Sequence, residues 1–261
     1  MNQELIKKYG DELYNALVTR TTVAPLTDRQ SDITIEDAYH ISLHMVNRRV
    51  EAGERIIGKK IGVTSAAVQN MLKVYQPDFG YLTDSMVYSS GADMPISQHL
   101  IAPKAEGEIA FILKKDLIGP GITNADVLRA TECVMPCFEV VDSRVEDWKI
   151  KIEDTVADNA SCGLFILGNQ AISPAKIDLV TAGMVVEKNG VIISTGAGAA
   201  ALGSPVNCVA WLANTLGEFG IPLKAGEVIL SGSLVPLEPV QAGDFMRVDI
   251  GGMGSASVRF T

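Results

Sequence analysis

The chain has 261 residues, enough for one large domain or two modest ones with a substantial core. Hydrophobic residues make up 47% and charged residues 20%, which excludes an intrinsically disordered chain. The formal net charge of −9 and the lack of a basic stripe argue against nucleic acid as a partner. No apolar run is long enough to cross a bilayer, and the start, MNQELIKKYGDEL, does not resemble a secretion signal, so a cytoplasmic location is predicted.

Two helices are predicted in the first third of the chain. The first follows from apolar side chains at every fourth position, namely Leu5, Tyr9, Leu13 and Leu17. The second is predicted to begin at Thr34, because Asp37 stands three residues later and approximates a capping box. Gly53 is a natural stop for this helix.

Beyond these helices, short β-rich runs alternate with turn residues. Asn189-Gly190 lies between two such runs and predicts a hairpin, since this dipeptide favours the type I′ turn. One helix interrupts the strands. Ser204 is its predicted N-cap, Pro205 suits its first turn, and Gly220 is predicted to close it.

The strands cluster and do not alternate regularly with helices, which favours an α+β protein over a doubly wound sheet. We predict a helix-rich N-terminal region, residues 1–85, and a β-rich catalytic core with the metal site, residues 86–261. The body of this core is mixed and largely antiparallel, and the two parts are expected to pack as one unit.

Paired carboxylates in the segment Glu106-Gly107-Glu108 are the most informative local feature. Residues two apart on a strand point to the same face, so the two carboxylates converge, and their repulsion calls for a cation or a proton. Glu139 lies in a second apolar run, where a lone carboxylate is costly. Three glutamates without histidine favour Mg²⁺, Mn²⁺ or Ca²⁺.

The alternative is that these glutamates bind no metal. Glu106 and Glu108 would then lie on a solvated edge strand, and Glu139 would pair with Arg144 or Lys104.

Other candidate residues are a lysine, an aspartate and a serine. Lys59 and Lys60 are neighbours on a predicted strand, so one should face inward, where it could bind a carboxylate; the alternative is a solvated pair. Asp78 lies in QPDFG and Ser161 in DNASCG, contexts that are also typical of turns.

Two other patterns point to different chemistry and are weaker. His40 and His44 have the spacing of zinc ligands on a helix, but the intervening residues lack the glutamate of a metalloprotease motif. The segment GAGAAA at residues 196–201 fits a relaxed dinucleotide fingerprint of a dehydrogenase. It follows a predicted hairpin, and the expected acidic residue further on is missing.

Six segments in the same order resemble the bacterial 2-keto-4-pentenoate hydratase family, within the fumarylacetoacetate hydrolase superfamily. They are GKKIGVTS, QPDFG, EGEIAFIL, FEVVDSR, TVADNASCG and GAGAAALGSPVNCVAWLA. The three metal-binding carboxylates that the resemblance implies are all present, as Glu106, Glu108 and Glu139. It also implies catalytic roles for Lys60 and Asp78, and substrate binding by Lys60 and Ser161.

The resemblance implies a Mg²⁺- or Mn²⁺-dependent hydratase of the meta-cleavage degradation of catechols. It would add water to 2-hydroxypenta-2,4-dienoate and give 4-hydroxy-2-oxopentanoate. A homo-oligomer and a complex with 4-oxalocrotonate decarboxylase are also implied.

Two alternatives stay open. The related 4-oxalocrotonate decarboxylases share nearly all of these motifs, and a second cationic group in the pocket would favour that activity, although SGSLVPLEPV resembles hydratases. The chain could instead be a structural partner subunit of a hydratase–decarboxylase complex.

Overall fold

The computed structural model describes residues 1–65, 69–70 and 74–261. Its α-helices are α1 (Gln3–Thr19), α2 (Leu26–Arg29), α3 (Ile35–Glu51), α4 (Ile96–His99), α5 (Asn124–Ala130), α6 (Ile152–Ala157) and α7 (Pro205–Gly217). Its strands are β1 (Ile56–Gly62), β2 (Asp78–Thr83), β3 (Val87–Ser89), β4 (Asp93–Met94), β5 (Lys104–Leu113), β6 (Thr131–Val141), β7 (Leu164–Leu167), β8 (Gly183–Lys188), β9 (Val191–Ala197), β10 (Val228–Leu230), β11 (Glu238–Pro239), β12 (Phe245–Ile250) and β13 (Gly254–Phe260).

The strands form two sheets. The larger has the order β2-β1-β10-β5-β6-β7-β3, with β11 paired to β5, and the smaller has the order β4-β13-β12-β8-β9. Parallel pairing occurs between β1 and β10, β3 and β7, and β4 and β13, whereas the other pairs are antiparallel. A single buried apolar cluster joins residues of both sheets and α7. The prediction of an α+β fold with a mixed, largely antiparallel β body is therefore confirmed.

The predicted helix starts are confirmed. Thr34 caps α3, because its hydroxyl accepts a hydrogen bond from the Asp37 amide at 3.1 Å and the Asp37 carboxylate accepts one from the Thr34 amide at 3.1 Å. Ser204 caps α7 by accepting a hydrogen bond from the amide of Val206 at 3.3 Å. Helices α1 and α3 pack together around a separate apolar cluster that also includes α6.

The end of α7 also follows the prediction. The Ile221 amide donates to the carbonyl of Leu216 and the Gly220 amide donates to that of Gly217, both at 3.0 Å. Gly220 has a φ of 70°, in the left-handed region. These two bonds form a Schellman motif, in which glycine is favoured because it has no Cβ.

The predicted hairpin connects β8 and β9. Asn189 and Gly190 have φ angles of 54° and 80°, as a type I′ turn requires. Strands β1 and β2 lie before residue 85 but belong to the same sheet as β5 and β6. The proposed division of the chain at residue 85 stays a prediction. Among the described residues, no helix has the length and apolar character needed to cross a membrane.

Candidate metal centre and active site

Strands β5 and β6 bring the three predicted glutamates together. Glu106 lies directly opposite Glu139 in the antiparallel register, and Glu108 shares the face of Glu106. One carboxylate oxygen from each of the three lies within 4.8 Å of the others. Glu108 and Glu139 are fully buried on a strand pair in the middle of the sheet. The alternative of a solvated edge strand is therefore wrong.

Several oxygens of this carboxylate cluster (Glu106, Glu108, Glu139) accept no hydrogen bond. Oε1 of Glu108 and both oxygens of Glu139 are buried without a hydrogen bond among the described residues. The other Glu108 oxygen accepts a hydrogen bond from the Gly232 amide at 2.8 Å. Buried carboxylate oxygens are costly unless a cation binds them. Three converging carboxylates, two of which have buried oxygens that accept no hydrogen bond, fit a hard divalent cation, which takes oxygen ligands.

Burial also changes the acidity of the cluster. Burial and the nearby charge of Glu139 raise the pKa of Glu106 to about 7. Burial, with the charges of Glu139 and Glu106, raises the pKa of Glu108 well above its usual range. The cluster therefore holds protons when no cation is bound, and a cation must displace them.

Divalent-cation affinity should therefore depend on pH. We expect the Mg²⁺ dissociation constant to rise by up to about tenfold per unit as pH falls below 7, because Glu106 must lose its proton to bind. Isothermal titration calorimetry in two buffers of different ionisation enthalpy measures both the affinity and the released protons. A constant affinity between pH 6 and 8 would contradict this linkage.

Gly107 has a packing role between the two glutamates. A Cβ at this position would lie 2.6 Å from the Met184 sulfur and 3.3 Å from a Val186 methyl carbon of β8. The smaller sheet therefore packs directly on the back of β5 at this point. A larger residue here would push β5 away and disturb both adjacent carboxylates.

The two neighbouring lysines face opposite sides of β1. Lys60 places its ammonium 3.1 Å from Oε1 of Glu139, an ion pair that lacks the angle of a hydrogen bond. Lys59 donates to both oxygens of Glu227, at 2.8 and 2.9 Å. Each lysine is 3% exposed, so the alternative of a solvated pair is wrong. Lys60 reaches β6 across β10 and β5, which shows that the larger sheet curls around the cluster.

Asp78 is the first residue of β2 and faces Lys60. Its Oδ1 is buried without a hydrogen bond among the described residues, and the residue lies in a strand. Burial raises its pKa, although the Lys60 charge and the Gly62 amide oppose the shift. The ring of Tyr39 on α3 stacks on Phe79 at 4.3 Å between centroids. Sequence reasoning did not identify Tyr39 as a neighbour of the site, since an aromatic residue at regular helical spacing is more often a core residue.

Ser161 lies in a segment with unusual backbone angles. Asn159, Ala160 and Ser161 have φ values of 53°, 52° and 53°, all in the left-handed region. The Asn159 side chain donates to the Tyr81 carbonyl and accepts from the Tyr81 amide, at 2.9 and 2.8 Å. The Ser161 hydroxyl lies 2.9 Å from that of Thr155. Such strain persists only where neighbouring contacts hold it, and it occurs often at functional sites.

Arg144 binds the residues on either side of this segment. Its side chain is fully buried and donates to the Asp158 carboxylate at 2.6 Å, to the Asp158 carbonyl at 2.7 Å and to the Cys162 carbonyl at 2.9 Å. These contacts bracket residues 159–161 on both sides. Arg144 is thus a structural partner of Asp158 and does not pair with Glu139.

A cavity of about 440 Å³ connects these residues. Glu106, Lys60, Asp78 and Ser161 line it. Its lining also includes Gly62, Val63, Thr64, Ser65, Lys104, Val141, Trp148, Ile150, Thr155, Ala160, Ser233 and Leu237. Sequence reasoning did not identify Trp148 as a cavity residue; it lies at the end of a short 3₁₀ turn, Glu146–Trp148, after β6.

The weaker patterns have structural explanations. His44 lies 3.0 Å from an Asp11 carboxylate oxygen, which links α3 to α1. A Cβ at Gly196 would lie 2.0 Å from the Leu234 carbonyl oxygen, and one at Gly198 would lie 1.7 Å from that of Leu179. The glycines of the segment 196–201 are therefore required by close backbone packing.

Residues 56–261 match the family model described as fumarylacetoacetate (FAA) hydrolase C-terminal. The chain belongs to the fumarylacetoacetate hydrolase family. The match begins at β1 and includes every residue that lines the cavity. The resemblance found in the sequence is thus confirmed at the level of the family.

Relatives of this family also match over most of their length. A 2-hydroxypent-2,4-dienoate hydratase of Pseudomonas putida is 76% identical over 221 residues, 85% of this chain and 100% of that protein. A 2-hydroxyhexa-2,4-dienoate hydratase of Comamonas testosteroni is 60% identical over 261 residues, 100% of this chain and 99% of that protein. Among solved structures, one that matches is 4-oxalocrotonate decarboxylase of Pseudomonas putida G7, complexed with magnesium and adipate. Its TM-score is 0.97 and its sequence is 38% identical, over 100% of this chain and 99% of that chain.

Proposed function

We propose that this chain is a divalent-metal-dependent hydratase that converts 2-hydroxypenta-2,4-dienoate to 4-hydroxy-2-oxopentanoate. The buried carboxylate cluster, whose free oxygens lie beside a cavity with Lys60 and Asp78, carries the proposal. Two relatives at 76% and 60% identity are named as hydratases of such dienoates, which supports the choice of substrate.

Glu106, Glu108 and Glu139 would hold Mg²⁺ or Mn²⁺, since both ions accept carboxylate oxygens. When bound, the ion would neutralise the substrate carboxylate and the oxygen on C2, and so stabilise an enolate. The chain's net charge of −9 makes such a local cation important for an anionic substrate.

Lys60 is the cationic group that binds a substrate oxygen. Burial alone would lower its pKa, but the carboxylates of Glu139 and Asp78 raise the pKa above its ordinary value. Lys60 therefore stays protonated and acts as a hydrogen-bond donor and a fixed charge, not as a base.

Asp78 and Ser161 complete the proposed machinery. The dienol loses its C2 hydroxyl proton as C5 gains a proton, which gives the 2-oxo-3-enoate. Water then adds at C4, which the conjugated carbonyl makes electrophilic, and C3 takes up a proton to complete the product. The Asp78 carboxylate, next to Lys60 in the cavity, accepts a proton from that water. The Ser161 hydroxyl, oriented by Thr155, donates to the substrate carboxylate.

The position of Asp78 can be tested through its neighbour Gly62. A Cβ at Gly62 would lie 2.2 Å from the Asp78 Oδ1. We expect Gly62→Ala to displace this carboxylate and to lower kcat/KM by roughly a hundredfold, because misplacement of about 1 Å has that effect. Mn²⁺ affinity should stay close to that of the natural chain. Gly183→Ala is the matched control, since a Cβ there meets nothing within 4 Å; equal kcat/KM in the two variants would contradict the role of Asp78.

A two-substrate assay tests the proposed reaction. The purified chain is given freshly generated 2-hydroxypenta-2,4-dienoate or 4-oxalocrotonate, with Mg²⁺ or Mn²⁺ and with a chelator. We expect metal-dependent loss of dienoate absorbance and formation of 4-hydroxy-2-oxopentanoate. Release of CO₂ from the dicarboxylate without dienoate hydration would overturn the proposal.

The decarboxylase is the second candidate function, and one observation favours it. Lys104 is a second cationic group that lines the cavity, as recognition of a second carboxylate would require. The decarboxylase of known structure is 38% identical, against 76% and 60% for the two hydratases. The hydratase is therefore the preferred proposal.

The proposal extends to assembly and location. A homo-oligomer, a complex with 4-oxalocrotonate decarboxylase and a cytoplasmic location remain predictions from the resemblance and the sequence. A purely structural partner subunit is disfavoured, because Glu106, Glu108, Glu139 and Lys60 are all present and adjacent.

A further inference from the structure

Another cavity lies on the opposite face of β1 from the carboxylate cluster. Its volume is about 540 Å³, which is the size of a small-molecule site. Lys59 lines this cavity, whereas its neighbour Lys60 lines the active-site cavity. Among the described residues, none lines both cavities, so the two spaces are separate.

A buried ion pair lines one side of this second cavity. Lys59 donates to both oxygens of Glu227, at 2.8 and 2.9 Å. Glu227 also accepts a hydrogen bond from the Lys224 amide at 3.0 Å, so its two oxygens already accept three bonds. An ammonium group has three N–H donors, and one of those of Lys59 has no acceptor among the described residues.

The hydroxyl of Tyr81 is a further donor beside this ammonium. Tyr81 is 9% exposed and lines the cavity, and the Lys59 ammonium lies 5.9 Å from the centroid of its ring. Within the described part of the chain, the Tyr81 hydroxyl has no hydrogen-bond partner. Burial and the charge of Glu227 raise the pKa of this phenol, so it stays protonated and can donate. Buried polar groups are normally hydrogen-bonded, and this one points to a ligand that accepts its hydrogen bond.

The charges of the second cavity favour an anion. Burial lowers the pKa of Lys59, and the charge of the exposed Lys224 lowers it further, although Glu227 opposes the shift. An anion next to Lys59 would offset both effects. The other side chains that shape the cavity are apolar, namely Ile56, Ile57, Ile221 and Pro222.

We propose that this cavity binds a small monocarboxylate with an apolar body, at a site distinct from that of the substrate. The ligand carboxylate accepts hydrogen bonds from the Tyr81 hydroxyl and from the third N–H of Lys59, and Lys224 adds a positive charge. The apolar body packs on the isoleucines and the proline. Because none of the three metal-site glutamates lines this cavity, binding needs no divalent cation.

Benzoate and benzamide are the probes that test this site, since they have nearly the same shape and differ in charge. Calorimetry with the purified chain in chelator measures both affinities. We expect benzoate to bind about tenfold more tightly than benzamide, as one charge-assisted contact provides. Tyr81→Phe should lower benzoate affinity about tenfold, because it removes one donor to a charged group. Tyr75→Phe is the matched control, since Tyr75 is 75% exposed and does not line the cavity.

Two further variants distinguish this cavity from the active site. Lys224→Met should weaken benzoate binding about twofold to threefold, as loss of an exposed charge does. Ser161→Ala removes a hydroxyl from the active-site cavity and should leave benzoate affinity unchanged. A benzoate affinity that falls in Ser161→Ala but not in Tyr81→Phe would overturn the proposal. No benzoate binding at millimolar concentration, or equal affinities for benzoate and benzamide, would also overturn it.

Discussion

Replacing Glu108 by Gln is expected to remove tight divalent-metal binding and to lower kcat/KM for the dienoate by at least about a hundredfold. Loss of residues that only support metal ligands already costs 10–100-fold, so loss of a ligand should cost no less. The amide has the same shape as the carboxylate and can still accept the Gly232 hydrogen bond. The variant therefore tests the charge and not the packing.

The same variant should be more stable than the natural chain when no metal is present. Burial, with the charges of Glu139 and Glu106, raises the pKa of Glu108, so the metal-free chain must take up a proton on this carboxyl when it folds at neutral pH, and a neutral amide avoids that cost. Thermal unfolding in chelator measures this effect, and calorimetry with Mn²⁺ measures binding. A variant that is inactive but has a higher Tm has lost the metal site without misfolding.

Glu132→Gln is the control for this substitution. Glu132 is exposed on β6 and pairs only loosely with Lys114, at 3.5 Å. Its replacement should change neither Mn²⁺ affinity nor turnover. Full activity of Glu108→Gln in chelator would contradict the role of the metal centre.

The second large effect is expected from Lys60→Met. The variant loses the cation that binds the substrate oxygen, and we expect kcat/KM to fall by about 10²–10³-fold. Mn²⁺ should bind at least as tightly as before, because Lys60 competes with the ion for Glu139. This combination of retained metal and lost turnover separates Lys60 from the three glutamates.

Stability provides a further readout for Lys60→Met. Removing one partner of a buried ion pair lowers the free energy of unfolding by roughly 3–5 kcal/mol. The metal-free variant should therefore unfold at a lower denaturant concentration than the natural chain. Mn²⁺ should restore much of this loss, since the ion neutralises Glu139 in place of the ammonium. Lys59→Met should also destabilise the chain by leaving Glu227 unpaired, but without rescue by Mn²⁺. Unchanged turnover in Lys60→Met would contradict its proposed role.

Local signals in the sequence were sufficient for much of the fold. The capping box at Thr34, the Asn189-Gly190 turn and the N-cap at Ser204 each act over a few residues, so the sequence predicts them without knowledge of packing. Helix α5 was not predicted, although Thr123 forms a capping box with Asp126. Its seven residues are too few to show a helical apolar stripe.

The site likewise has features that local sequence predicts and features that depend on the packing of distant segments. The convergence of Glu106 and Glu108 follows from the period of a strand, which is a local property. The choice between Lys59 and Lys60, and the partner of Glu139, depend on the order and curl of the sheet. Trp148 had no local signal, because the contacts that orient its ring at the cavity come from distant residues, such as the hydrogen bond to the Ala102 carbonyl 46 residues earlier in the chain.

Anomalous scattering from crystals grown with Mn²⁺ tests the central claim most directly. The hydratase proposal predicts one strong peak between Glu106, Glu108 and Glu139, with an oxygen from each at about 2.1 Å and the peak absent in Glu108→Gln. Open positions on the ion should face the cavity that contains Lys60 and Asp78. A peak elsewhere, or none at saturating Mn²⁺, would contradict a metal centre at these glutamates.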